Sequence, residues 1–229
     1  MESEEGPQSL LAARLTQKAN MQQLVWDNTF NTFNALKELL HEFSAELDEH
    51  LDEKLDKRVR IEYRDRGKFE AQLQVAGDVL IFTMHTNVFT FDRGHAVWTN
   101  PYVASDPDNA YCGVINIYNF LADSFKYNRG GDTGYLIGRV FVNRRMHYFV
   151  EGKRQSGVHQ EEMGSAILDR GAIVGIINSA VAYALDFDLL VPPYDLVKTV
   201  NVEDLNTKFE GTKLETGKRL GYEFCIDDI

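Results

Sequence analysis

Arg58 to Met84 reads RVRIEYRDRGKFEAQLQVAGDVLIFTM, and on either side of a four-residue turn, as far as Val75, apolar and polar side chains trade places at every second position. Val59, Ile61 and Tyr63 alternate with Arg58, Arg60, Glu62 and Arg64. After Asp65-Arg66-Gly67-Lys68 the alternation resumes, Phe69, Ala71, Leu73 and Val75 against Glu70, Gln72 and Gln74. A period of two belongs to a strand with one buried face, and Gly67 can take the positive φ of a tight connection, so the stretch predicts an antiparallel hairpin. Ala76-Gly77-Asp78 makes a second turn into Val79–Met84. Further on, Val88–Phe91 and Ala96–Trp98 read as a hairpin around Asp92-Arg93-Gly94-His95, and Tyr135–Asn143 and Met146–Glu151 as another around Arg144-Arg145. These connections are too short to hold crossover helices, so the sheet is antiparallel, of about six or seven strands, with one covered face.

On either side of the strands the period changes to that of a helix. From Ser9 to about Asp56 the apolar residues recur at three- and four-residue steps, with a fresh start expected near Asp27 and Asn28, which favour helix beginnings over helix interiors. In the second part Leu36, Leu40, Phe43, Leu47 and Leu51 form one stripe among Glu38, Glu42, Glu46, Asp48, Glu49, Asp52 and Glu53. Such a stripe packs either on the home sheet or on a second copy of itself. A last helix is expected from about Gln160 to Leu185, with Glu161 and Glu162 in its first turn and a concentration of small residues (Gly164, Gly171, Gly175, Ala172, Ser179, Ala182) for close packing, on the sheet or on a second copy. Tyr111 to Tyr127 fits a helix through Val114, Ile117, Tyr118, Leu121 and Phe125, although its first half is β-branched enough for a strand. The fold class is therefore α+β: an antiparallel sheet covered by a long N-terminal helix and a small-residue-rich C-terminal helix. Residues 1–57 form a helical arm, 58–190 the sheet with its packed helices, and 191–229 an extended tail laid over the body, all in one folding unit.

Composition narrows the function classes. An apolar share of 44% supplies a continuous core and excludes global disorder. A net charge of −11 argues against a general nucleic-acid binder or a partner of anionic membranes. Gly171–Leu185, the most apolar stretch, is shorter than the roughly 20 residues a bilayer span needs. The leading MESEEGPQ lacks the positive and apolar regions of a secretory signal, and Cys112 and Cys225 make neither a disulfide framework nor a CxxC pair, so a cytoplasmic location is expected.

One segment departs from the acidic average. Residues 1–57 carry five basic and twelve acidic side chains, whereas 126–159 carry seven basic and two acidic. Arg139, Arg144, Arg145, His147, Lys153 and Arg154 fall on the last hairpin and its flanks, where arginine forks can grip phosphate or carboxylate oxygens. The anion could instead be the chain's own, the Glu-rich stripe of residues 38–53 being the obvious source. Asn128-Arg129-Gly130-Gly131-Asp132-Thr133-Gly134 superficially resembles a phosphate cradle but matches neither GxxxxGK[ST] nor GxGxxG. His85, His95 and His147 with Asp92 lack metal-ligand spacing, and no GxSxG elbow or activated Cys112 supports nucleophilic chemistry. No cofactor or metal is expected. The reading places an intracellular, homo-oligomeric interaction or regulatory protein first, a sensor of a small anionic ligand at the arginine hairpin second, and an enzyme of unknown class third.

Overall fold

In the computed structural model, described over residues 7–51, 56, 59, 61–152, 162–189, 191 and 193–202, the N-terminal stripe forms one uninterrupted helix, α1 (Pro7–Leu51). No break occurs at Asp27 and Asn28. Asn28 sits mid-helix because its side chain has a distant use: Nδ2 donates to the carbonyls of Asn143 (3.2 Å) and Arg144 (2.9 Å).

Six strands follow: β1 (Ile61–Asp65), β2 (Glu70–Val75), β3 (Asp78–Met84), β4 (Cys112–Leu121), β5 (Tyr135–Asn143) and β6 (Tyr148–Gly152). They lie side by side in sequence order, every neighbouring pair antiparallel. The alternation in 61–75 sets the register of the first pair, with Tyr63 opposite Leu73, and Leu73 in turn pairs with Leu80 on the buried face. At the first turn Gly67 adopts φ +112°, and Lys37 of α1 pins the turn from above, bridging Asp65 at 2.7 Å and donating to the Gly67 carbonyl at 2.9 Å.

Residues 111–127 are a strand, not a helix, in their first part. β4 takes Cys112–Leu121, and only Ala122–Lys126 form a short helix, α2 in a count that leaves the loop turns unnumbered. The misreading has a physical source: β4 is central and covered on both faces, so it lacks the alternation that marks a half-buried strand. Ile115 and Ile117 face the main core, whereas Cys112 and Val114 face a second cluster.

The main core lies between the sheet and two helices, α1 and the C-terminal helix α3 (Arg170–Leu185). Phe33, Leu36 and Leu40 of α1 meet Leu73, Leu80, Phe82, Ile117 and Val140 of the sheet and Ile173, Ile177 and Ala180 of α3. At Gly113 the contact of α1 with β4 is so close that an added Cβ would stand 2.1 Å from Thr29 Oγ1. The last helix begins ten residues later than the sequence reading placed it, capped by Asp169, whose side chain accepts the Ala172 N–H at 2.8 Å. Gly164, expected inside that helix, has φ +91°, and a Cβ there would strike the Tyr102 ring. Gly171 and Gly175 lie on the outer side, so the packed face is built by isoleucines and alanines instead.

The second face of the sheet is covered over β4 to β6 by the connection 85–111, a finding that replaces the expected single covered face. No hairpin forms at 88–98. Phe89 makes one bridge to Cys112, and Ala96–Thr99 is a 3-10 turn capped by His95, whose Nδ1 accepts the Val97 N–H at 3.1 Å. Val97, Val103, Ala110, Cys112, Val114, Phe141 and Met163 form the second cluster. Over β1 and β2 the same face is polar, carrying Glu62, Arg64, Gln72 and Gln74. Beyond α3, Val191, Tyr194 and Val202 are exposed, and most of the expected tail lies outside the described residues.

Candidate functional site

The β5–β6 turn gathers Arg144, Arg145 and His147 because Asn143, fully buried, holds the turn together. Its Oδ1 accepts the N–H groups of Arg145 (2.9 Å) and His147 (3.0 Å), and its Nδ2 reaches the Tyr102 hydroxyl at 3.1 Å. The anions for these arginines come from the 85–111 connection. Arg144 bonds the Asp106 carboxylate and the Asn109 amide oxygen (3.2 Å), with Asp108 at 3.6 Å; Arg145 reaches Asp106 at 3.5 Å. The acidic stripe of α1 takes a different partner, Glu42 pairing with Arg170. His147 donates to the Ala166 carbonyl through Nδ1 (2.9 Å) and tilts against the Tyr102 ring. Lys153 and Arg154 lie outside the described residues.

Arg139 lies apart from this turn, in mid-strand on the second face beside its cross-strand partner Glu151, to which its Nε donates at 2.7 Å. Its guanidinium carbon stands 5.4 Å from the centre of the Phe141 ring. The pair borders a cavity of about 360 Å³ between the sheet and the 85–111 connection, walled by Phe89, Phe91 and Phe141 and edged by His85, His95 and Asn116. Phe91 stacks on His95 at 4.7 Å and tilts on Phe141 at 5.2 Å, while His85 meets Phe89 edge-on at 4.6 Å. A larger space of about 620 Å³ continues past His95 and Glu151 along Val97, Phe149 and Met163.

In the glycine-rich loop after α2, Asp132 pairs with Arg129 at 2.9 Å and accepts from the Ser124 hydroxyl at 2.6 Å. Burial pushes the Cys112 thiol well above its ordinary value, which leaves it a poor nucleophile. Among the described residues no group of three or more His, Cys, Asp or Glu is arranged to hold a metal ion, and no helix is long and apolar enough to cross a membrane.

A third feature is the pair of ends of α1. Residues 8–20 are exposed throughout, with Leu10, Leu11 and Leu15 at 59%, 67% and 71%, and the first buried side chain is Met21. Leu11 and Leu15 continue, at helical spacing, the stripe that enters the core as Val25, Phe33, Leu36 and Leu40. At the far end Phe43, Leu47 and Leu51 are only half-buried.

The sequence reading found the arginines, but missed Asp106 and Asp108 as their partners and the rings of Phe89, Phe91 and Phe141 as cavity walls. Asp106 and Asp108 bracket Pro107 in what reads as loop punctuation, and only the fold returns that loop to the turn. Compared with known protein families, with curated proteins and with solved structures, the chain matches none.

Proposed function

We propose that the chain is an intracellular interaction protein that assembles with copies of itself, the projecting start of α1 on one copy docking on the acidic end of α1 on the next. The overhang carries the reading. Three leucines standing in water forgo about 1.5–3 kcal/mol each, a cost removed when they are covered. The second copy is favoured as the cover because the two ends of the helix are complementary. Residues 7–26 hold Arg14 and Lys18 and no acidic side chain, whereas residues 38–50 hold Glu38, Glu42, Glu46, Asp48 and Glu49 and no lysine or arginine. Each end also has apolar area to offer, Leu10, Leu11 and Leu15 against Phe43, Leu47 and Leu51. A contact between unlike surfaces is head-to-tail, so it closes into a ring or continues as a filament. Arg144 and Arg145 are internally paired and take no part.

Mixing two variants tests this. Leu11→Asp/Leu15→Asp destroys the docking end and Glu46→Lys/Glu49→Lys the receiving end, so each alone is monomeric by light scattering and sedimentation. Each retains one intact end, and an equimolar mixture forms a complex of two chains. Assembly that persists in either single variant, or a mixture that stays monomeric, rejects the head-to-tail contact, as does a parent chain that is monomeric at low salt.

A further inference from the structure

Trp26, Phe30 and Phe69 enclose a cation, an arrangement that α1-mediated assembly does not use. Lys68 Nζ stands 5.5 Å from the centre of the Trp26 ring, 5.0 Å from that of Phe30 and 5.3 Å from that of Phe69. Trp26 and Phe30, one helical turn apart on α1, stack at 5.1 Å, and Phe69, in the β1–β2 turn, meets Phe30 edge-on at 6.1 Å. All three rings pack against the main core, which sets their positions. Lys68 itself is exposed. Among the described residues its ammonium has no carboxylate and no carbonyl partner, so the rings are what holds it. The other lysine at this turn, Lys37, uses its donors on the Asp65 carboxylate and the Gly67 carbonyl. Lys198 pairs with Asp195, and Lys126 lies over a single ring, that of Tyr127.

We propose that Lys68 is a methylation site, and that Trp26, Phe30 and Phe69 are the chain's own receptor for the methylated side chain. N-methylation of a lysine keeps the positive charge and removes N–H donors. At Lys37 that loss would break bonds to Asp65 and Gly67, whereas at Lys68 it breaks none within the described residues. Each added methyl group instead carries part of the charge on carbon-bound surface, which a ring face receives well and a hydrogen-bond acceptor does not. Several rings around one methylated ammonium is the arrangement by which proteins recognise that group. For the transfer, Lys68 swings out on its flexible stem into solvent. Nζ, having given up a proton, attacks the methyl carbon of a sulfonium donor carried by a methyltransferase. The N–C bond forms as the C–S bond breaks, and the electron pair of the broken bond leaves on the neutral thioether. The modified side chain then returns to the rings and holds the β1–β2 turn more tightly on α1.

Two measurements on the full chain test this. In a Cys225→Ser background, the thiol introduced by Lys68→Cys is alkylated with haloethyl reagents that carry a trimethylammonium, a primary ammonium or a neutral tert-butyl head, while Cys112 stays buried and unreactive. The trimethylammonium form should melt about 2–4 °C above the primary ammonium form, and the tert-butyl form should show no such gain. Adding Trp26→Ala should abolish the difference. If that variant fails to fold, Phe69→Leu removes a wall from the turn side and should shrink the difference instead. Peptide mass spectrometry of the chain purified from its own cells should find methyl groups on Lys68 and none on Lys37. Equal melting of the trimethylammonium and primary ammonium forms, a tert-butyl head that stabilises as well as the trimethylammonium, a difference that survives loss of a ring, or an unmodified Lys68 in the chain from its own cells would each overturn the assignment.

Discussion

Asn28, at the middle of a 45-residue helix, holds the carbonyl of Arg144 at 2.9 Å across 116 residues of sequence. The same amide reaches the Asn143 carbonyl, so one side chain fixes the β5–β6 turn against α1. Asn28→Ala should lower stability by about 1–3 kcal/mol, because two carbonyls lose their donor in a partly closed site. Asn28→Asp should cost more, since it turns an acceptor towards acceptors. Urea unfolding of the three proteins measures both.

Arg144 and Arg145 are held by Asp106 and Asp108 within one chain, so their removal should register as lost stability and not as lost assembly. Replacing both with Gln should cost about 1.5–3 kcal/mol, the scale for a hydrogen bond to a charged group. Light scattering should show the parental size. A variant of parental stability but altered size would mean that an outside anion had been the partner.

Asn119 is 1% exposed on the core side of β4, opposite Leu80, and neither of its amide atoms finds a hydrogen-bond partner among the described residues. Asn119→Leu should therefore raise stability, by about 1–3 kcal/mol, through removal of an unsatisfied polar group at nearly constant volume. A fall in the melting temperature would show that the amide has a partner in the folded chain.

Lys37 clamps the first hairpin, and its hydrogen bond, with the N–H of Gly67, holds the Asp65 carboxyl below its ordinary value. A depressed carboxyl contributes stability that is present above the unfolded value, about 3.9, and is lost as pH falls through the lower folded value. The effect is small, since Asp65 is more than half exposed. The stability difference between parent and Lys37→Met should thus shrink as pH drops from 5 to 3. A difference constant across that range would assign the Lys37 contribution to packing and to its bond with the Gly67 carbonyl.

The strands at 61–75 were legible because one polar face leaves a period of two in the sequence, and the turns there carry Gly67 and Gly77, whereas 79–84 and 135–151 stood out as short apolar runs flanking tight turns. Legibility failed where both faces are covered, as in β4, whose apolar run satisfies either period. It failed again where a polar residue serves something distant: Asn28 reads locally as a helix start, yet it is kept for a turn it meets only after folding. The arginines could be seen, but whether they were satisfied could not, since the partners sit in a loop whose return to β5 depends on the whole meander. The cavity walls were hidden for the same reason, Phe89 and Phe91 reading as one strand of a hairpin.

The separation between Asn28 and Arg144 also sets a clock for synthesis. At ribosomal speeds of roughly 5–20 residues per second, on the order of ten seconds pass between the emergence of Asn28 and that of Arg144. Over that interval the sheet that receives Phe33, Leu36 and Leu40 is built strand by strand, β1 to β3 first and the β5–β6 turn last. Aggregation risk in the cell is therefore governed by elongation rate and by whatever shields the emerging helix, and mutations that leave the finished protein's stability untouched can still change its yield by lengthening the wait.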